Sequence, residues 1–151
     1  SNDDWGFNTQ TFLSPEQMRK YVFPWHKKIV EACHAAGKPV ILHSCGNMRD
    51  IIEDTIALGY DAKHSFEDVI LPVEQAYEAW HDRIAVLGGI DLDFVCRESP
   101  ASIRARTRAM LDRVAGRGGY MIGTGNSVPE YVPIEHYLAL VEETIGYPPI
   151  G

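Results

Sequence analysis

Lys38-Pro39-Val40-Ile41-Leu42-His43-Ser44-Cys45-Gly46-Asn47 is the stretch on which the reading of this chain turns. An aliphatic run, Val40-Ile41-Leu42, leads into a His-x-Cys pair, and a glycine and a polar residue lead out. Continuous β-branched and aliphatic residues suit a strand covered on both faces, so Pro39 to Leu42 reads as a short buried strand. His43 and Cys45 stand at its carboxyl end. Side chains at i and i+2 on a strand point the same way, so an imidazole and a thiol converge on one spot. Zinc takes nitrogen and sulfur ligands, and the pair suits half of such a site. It equally suits a small buried hydrophobe beside a hydrogen-bonded core histidine.

Upstream, Ser14-Pro15-Glu16-Gln17 opens a helix: Ser14 caps it, Pro15 fits its first position and Gln17 completes a capping box. Met18, Val22, Trp25, Ile29 and Cys33 recur at helical spacing, with Pro24 expected to kink the helix and Gly37 to end it. Residues 1–10 show no strand pattern ahead of that helix. Downstream, a helix is expected over about Met48–Leu58, a weak strand over Asp61–Ser65, a helix from Pro72 and a strand over Ile84–Leu87. A helix from Ser99-Pro100 to about Ala115, a strand over Gly119–Ile122 and a helix from Pro133 complete the pattern.

One helix followed by four strand–helix units means parallel strands joined by right-handed crossovers. The predicted fold is an α/β barrel of the (β/α) TIM type, about half of one, forming a single domain over residues 1–151. Sites in such folds gather at the carboxyl ends of the strands. Here those ends are His43-Ser44-Cys45, His64-Ser65-Phe66-Glu67, Gly89-Ile90-Asp91 and Thr124-Gly125-Asn126-Ser127. Four parallel strands cannot close and leave two edges. The chain is then the carboxyl-terminal half of a longer barrel, one of two paired copies, or an open sheet.

Composition narrows the function. The chain of 151 residues is long enough for one core, and its net charge of -7 argues against a nucleic-acid footprint. The arginines between Arg97 and Arg117 fall at helical spacing and read as a solvated face. No apolar run approaches a membrane span. Cys33, Cys45 and Cys96 make an odd count, which suits a reduced, cytoplasmic protein better than a disulfide framework. The glycine pairs Gly88-Gly89 and Gly118-Gly119 are not a dinucleotide fingerprint.

Several stretches together resemble the uroporphyrinogen decarboxylase superfamily. They are Asp3-Asp4-Trp5-Gly6 leading to Leu13-Ser14-Pro15, then Lys38 to Asn47, Gly88-Gly89-Ile90-Asp91, the Ser99-Pro100 helix, and Gly119-Tyr120 to Pro129 with Val132-Pro133. The resemblance implies the carboxyl-terminal half of a (β/α)8 barrel. In the cobalamin-dependent methyltransferase branch, a His-x-Cys pair and a further cysteine from the last strand bind zinc. A thiol substrate coordinates there, and its thiolate attacks a cobalt-bound methyl. On that likeness His43 and Cys45 are metal ligands. Thr124 stands where the third sulfur would be, and Glu67, Cys96 or His64 are candidates to replace it.

Asp4, Asp91 and Glu67 are the candidate catalytic acids, and Thr124, Asn126 and Ser127 the candidate contacts to a corrinoid or carboxylate. Asp4 reads equally as part of a frayed terminus, and Asp91, Asn126 and Ser127 as caps. The expected function is zinc-dependent, corrinoid-linked methyl transfer to a thiol. The alternatives are a tetrapyrrole decarboxylase, which the resemblance gives no metal, and a non-catalytic half-barrel. A small-molecule, tetrapyrrole or corrinoid substrate is expected, with a homo-oligomer such as a homodimer, or a missing amino-terminal half, completing the barrel.

Overall fold

Each strand of the sheet is followed by helix that returns the chain for the next strand in parallel. The computed structural model describes residues 1–148. Its strands are β1 (Ile41–His43), β2 (Ala62–His64), β3 (Ala85–Leu87) and β4 (Tyr120–Met121), all parallel and in the order β1-β2-β3-β4. The helices are α1 (Pro15–Gln17), α2 (Phe23–Ala35), α3 (Ile52–Leu58), α4 (Val73–Trp80), α5 (Leu92–Arg97), α6 (Pro100–Val114) and α7 (Ile134–Ile145). This is the half-barrel expected from the alternation of strands and helices.

Alternation along each strand divides the sheet into two faces. Leu42 and Val86 are fully buried on the face packed by the helices, together with Val73, Tyr77 and Ile103. Ile41, His43, His64, Leu87 and Met121 occupy the other face, which corresponds to a barrel lumen. That face is incompletely covered: Ile41 is 42% and Met121 63% exposed.

The amino terminus is more ordered than its polar sequence suggests. Asn2 bridges His43 in parallel. The His43 N–H donates to the Ser1 carbonyl at 2.8 Å, and the Asp3 N–H donates to the His43 carbonyl at 3.0 Å. Residues 1–3 therefore extend the sheet beyond β1. Ser1-Asn2-Asp3 carries no apolar alternation, so no strand pattern is legible there.

Other differences have local causes. The expected Pro24 kink takes the form of a π-helical turn, Met18–Val22, ending where the Phe23 N–H reaches back to the Met18 carbonyl. Pro24 has no N–H to continue the regular ladder, which accounts for the wider turn. Both capping-box bonds of Ser14 and Gln17 form at 3.2 Å. Helix α3 begins at Ile52 rather than Met48, because the Asn47 side chain holds the Arg49 N–H in a turn at 3.1 Å. Helix α5 had no place in the sequence pattern. It starts at the Asp91 cap, whose Oδ1 accepts from the Phe94 N–H at 3.0 Å.

The arginines of α6 are mostly exposed, as expected of a solvated face, but they are paired with carboxylates. Arg106, only 15% exposed, pairs with Asp68 and Glu74, while Arg104 pairs with Glu142 of α7. Arg113 of α6 and Arg117 just beyond it share Glu78 of α4. Helical spacing shows which residues share a stripe but not which carboxylates face it.

Gly46 shows how tightly the His-x-Cys turn is packed. It sits at φ 95°, and a Cβ there would overlap the backbone of Gly6. The Asn47 N–H donates to the Phe7 carbonyl at 2.8 Å, so the amino-terminal loop lies directly on this turn. Gly46→Ala is expected to cost at least about 1–2 kcal/mol from the left-handed backbone alone. Urea unfolding should report this as a lower midpoint with little change in slope.

Candidate metal centre

Three side chains converge at the amino end of the sheet order. The ligand atoms of Asp4, His43 and Cys45 all lie within 4.8 Å of one another, and His43 Nε2 is 3.7 Å from Cys45 Sγ. His43 and Cys45 share a side because they are two apart at the end of β1. Asp4 joins them because residues 1–3 pair with β1. Its Oδ1 accepts from the Cys45 N–H at 2.8 Å, which sets the height of the carboxylate beside the sulfur.

Asp3 anchors this strand end from the other side. Its Oδ2 accepts from Trp5 Nε1 at 2.9 Å and lies 3.0 Å from His26 Nε2. His26 is buried, and its Nδ1 lies 2.6 Å from the Tyr60 hydroxyl. With the hydroxyl donating to Nδ1 and Nε2–H donating to Asp3, both ring nitrogens of His26 are satisfied.

His64 sets the orientation of His43. Its Nε2 is 3.2 Å from the Thr124 carbonyl, and its Nδ1 is 2.7 Å from His43 Nδ1. A carbonyl only accepts, so His64 Nε2 carries a proton. Burial holds the His64 pKa below its ordinary value, and the neighbouring His43 and Lys63 act in the same direction against the Thr124 carbonyl. Neutral His64 then presents a bare Nδ1, which takes the Nδ1–H of His43. His43 Nε2 is left with its lone pair beside Asp4 and Cys45, the tautomer a metal requires.

The remaining expected residues are placed differently. Glu67 lies outside the triad; burial and the charge of Asp91 raise its carboxyl pKa, against the opposing Lys63. Asp91 is buried, with one oxygen capping α5 and the other accepting from the Asp68 N–H at 2.7 Å. Thr124 turns its hydroxyl to the Asn126 carbonyl at 2.8 Å. Asn126 donates from Nδ2 to Cys45 Sγ at 3.2 Å, while exposed Ser127 uses its N–H on Asn126 Oδ1 at 2.8 Å. Cys96 lies on α5, outside the triad. Beside Asn126 an open cleft of about 550 Å³ is lined by Phe66, Glu67, Asp91, Leu92 and Phe94.

Two residues near the centre carried no motif. Lys63 is 3% exposed on the helix-facing side of β2. Its Nζ donates to the Ser65 carbonyl at 2.5 Å and the Ser44 carbonyl at 3.4 Å, and sits 4.2 Å over the Phe66 ring. Ser65 Oγ lies 3.1 Å from Cys45 Sγ. The available signal for Lys63 was a lysine at the helix-facing position of a strand, where an apolar residue is usual.

Comparison with known proteins agrees with this architecture. The family model for uroporphyrinogen decarboxylase (URO-D) matches residues 3–147. The chain belongs to the uroporphyrinogen decarboxylase family. A uroporphyrinogen decarboxylase of Geobacter sulfurreducens is 28% identical over 140 residues, covering 93% of this chain and 39% of that protein. One from Chloroflexus aggregans is 27% identical over 139 residues, covering 90% and 38% respectively. A solved structure, the methyltransferase from Methanosarcina mazei, superposes with a TM-score of 0.74 at 20% identity, covering 94% of this chain and 40% of that one. The URO-D chain described here thus spans about two fifths of the length of these relatives.

Two measurements check the geometry. His64→Leu should weaken zinc or cobalt binding by about 10–100-fold in competition with a chromophoric chelator, whereas His64→Gln, which keeps an acceptor for His43, should stay near wild type. Lys63 is depressed to about 8, chiefly by burial, with Cys45 and Glu67 opposing the shift. The unfolded chain therefore holds more protons than the folded one between about pH 8 and 10.5, and stability should rise with pH across that window. Relative to Lys63→Met, the wild type should gain roughly 3 kcal/mol over this range in urea unfolding, and a flat difference would contradict the assignment.

Proposed function

We propose that this chain is the metal-holding half of a URO-D-family barrel that transfers a methyl group from a corrinoid to a thiol. The observation that carries the proposal is the Asp4–His43–Cys45 triad. An imidazole nitrogen, a thiolate sulfur and a carboxylate oxygen form a donor set suited to zinc, and the 3.7 Å between His43 Nε2 and Cys45 Sγ fits two corners of a tetrahedron. Three protein ligands leave the fourth position open, as in catalytic rather than structural zinc sites. The fold likeness to a methyltransferase is compatible with the proposal but does not carry it.

Zinc bound here would supply an acid that lowers the pKa of a thiol in the open position. The work of the protein is then to hold and orient. His64 and the Thr124 carbonyl fix the donor nitrogen of His43. The Cys45 N–H fixes Asp4. Glu67, with its carboxyl pKa raised, stands by the adjoining cleft and is assigned to take the proton that the thiol gives up. Asp91 holds the loop that carries Glu67. Asn126 reaches from the loop after β4 to the sulfur and forms part of the cleft wall, where Thr124 and Ser127 shape the turn around it. The incompletely covered lumen face is assigned to the rest of the barrel, from an amino-terminal half or a second copy.

A second reading, decarboxylation of a tetrapyrrole, is favoured by the printed function of the curated relatives. Metal analysis separates the two. Protein purified without chelator should carry about one zinc per chain, lost in His43→Ala and Cys45→Ala and weakened in Asp4→Ala. Metal-free protein that fails to take up zinc would overturn the methyl-transfer proposal, and a tight porphyrin complex formed without zinc would establish the second reading.

A further inference from the structure

The sulfur of Cys45 is approached from two other strand ends. Asn126 Nδ2 donates to it at 3.2 Å, and Ser65 Oγ lies at 3.1 Å. Neither contact is needed to bring the triad together. The Asn126 amide has a fixed sense, because its Oδ1 accepts from the Ser127 N–H at 2.8 Å. Its NH2 therefore faces the sulfur.

Ser65 reaches the sulfur through an unusual backbone. Its φ is 85°, and it is the only non-glycine residue with positive φ among the described residues. That conformation is strained for a residue that carries a Cβ. It turns the Ser65 carbonyl onto Lys63 Nζ at 2.5 Å and leaves the hydroxyl beside Cys45. Strain of this kind persists where the surroundings over-determine it, and it clusters at functional sites. Here the buried Lys63 amine supplies the hold.

We infer that Ser65 and Asn126 are positioning residues that keep the Cys45 sulfur a spectator ligand, so that an electrophilic methyl passes to the substrate thiol and not to Cys45. The inference rests on the methyl-transfer reading. Two sulfurs then stand near one methyl donor. Alkylation uses a sulfur lone pair to form the S–C bond while the bond to the leaving group breaks and the leaving group takes its electron pair. A lone pair engaged by N–H and O–H donors is less available for this attack. Methylated Cys45 would be a neutral thioether, a far weaker ligand to zinc, so each such event would disable the centre.

The test is the rate of Cys45 alkylation by iodoacetamide in the zinc-loaded full chain, resolved residue by residue through peptide mass. Iodoacetamide loses iodide as the S–C bond forms. Asn126→Leu and Ser65→Gly should each react about three- to tenfold faster at Cys45 than wild type. Glycine tolerates the positive φ, so Ser65→Gly removes the hydroxyl without adding strain. Asn126→Asp keeps the acceptor for Ser127 and replaces the donor to sulfur by a carboxylate oxygen, so its limiting rate at full thiol ionisation should rise as that of Asn126→Leu does. Cys33 and Cys96 serve as internal references. Failure to bind zinc would sink the functional reading but not the test, because the metal-free protein has its own readout. There the limiting rate on the alkaline plateau, where the thiol is fully ionised, should rise by the same factor. Rates at or below wild type in the variants, or a rise shared by all three cysteines, would overturn the inference.

Discussion

The parallel register between β1 and β2 governs this molecule. It sets His43 opposite His64 on the lumen face and Leu42 opposite Lys63 on the helix face. Because side chains alternate, a slip of one residue would exchange these sets and put the imidazoles among the helices. With the register in place, the two rings meet, the Thr124 carbonyl fixes the outer one, and the inner one turns a lone pair towards Cys45. The amino-terminal residues add Asp4 by extending the same pairing past the edge of β1. The centre is thus a product of backbone hydrogen bonding before it is a product of side-chain chemistry.

Much of this was legible in the sequence. Period-two spacing placed His43 and Cys45 together, and the alternation of strands and helices gave a parallel half-barrel. The capping signals at Ser14 and Ser99 marked two helix starts correctly. What stayed hidden was contact between distant segments. The sequence marks Asp4 as an acid but not as a neighbour of Cys45, because three polar residues at a sheet edge carry no strand signature. The contact between the His64 and His43 rings is likewise invisible in the sequence, which offers His64 only as a further candidate ligand. Lys63 and Ser65 were silent, since their roles come from backbone carbonyls and a left-handed φ that no local pattern encodes. The arginines of α6 lie mostly on an exposed face, as their spacing suggests, but their carboxylate partners on α4, α7 and the loop after β2 are hidden for the same reason.

The asymmetry of the sheet explains why the fold is easier to read than the function. Helices cover one face with a continuous apolar layer of Val73, Tyr77 and Ile103 over Leu42 and Val86. The other face has Ile41 and Met121 exposed and carries the polar centre at its strand ends. A complete barrel would enclose that face. The chemistry at the strand ends is therefore seen here from inside, with one wall in place.

Lys63 gives the centre a property of a different kind. Its amine grips the main chain of Ser44 and Ser65, not their side chains, and so joins two neighbouring turns through atoms that every amino acid possesses. Those turns can exchange side chains without losing their common support. Lys63 itself has no such freedom, because its length and its donors are both in use. The arrangement separates what is free to drift from what must stay, and it places the fixed element on the helix-facing side of the sheet. New specificity could then arise in the turns of this half-barrel while their spacing is inherited from a single buried amine.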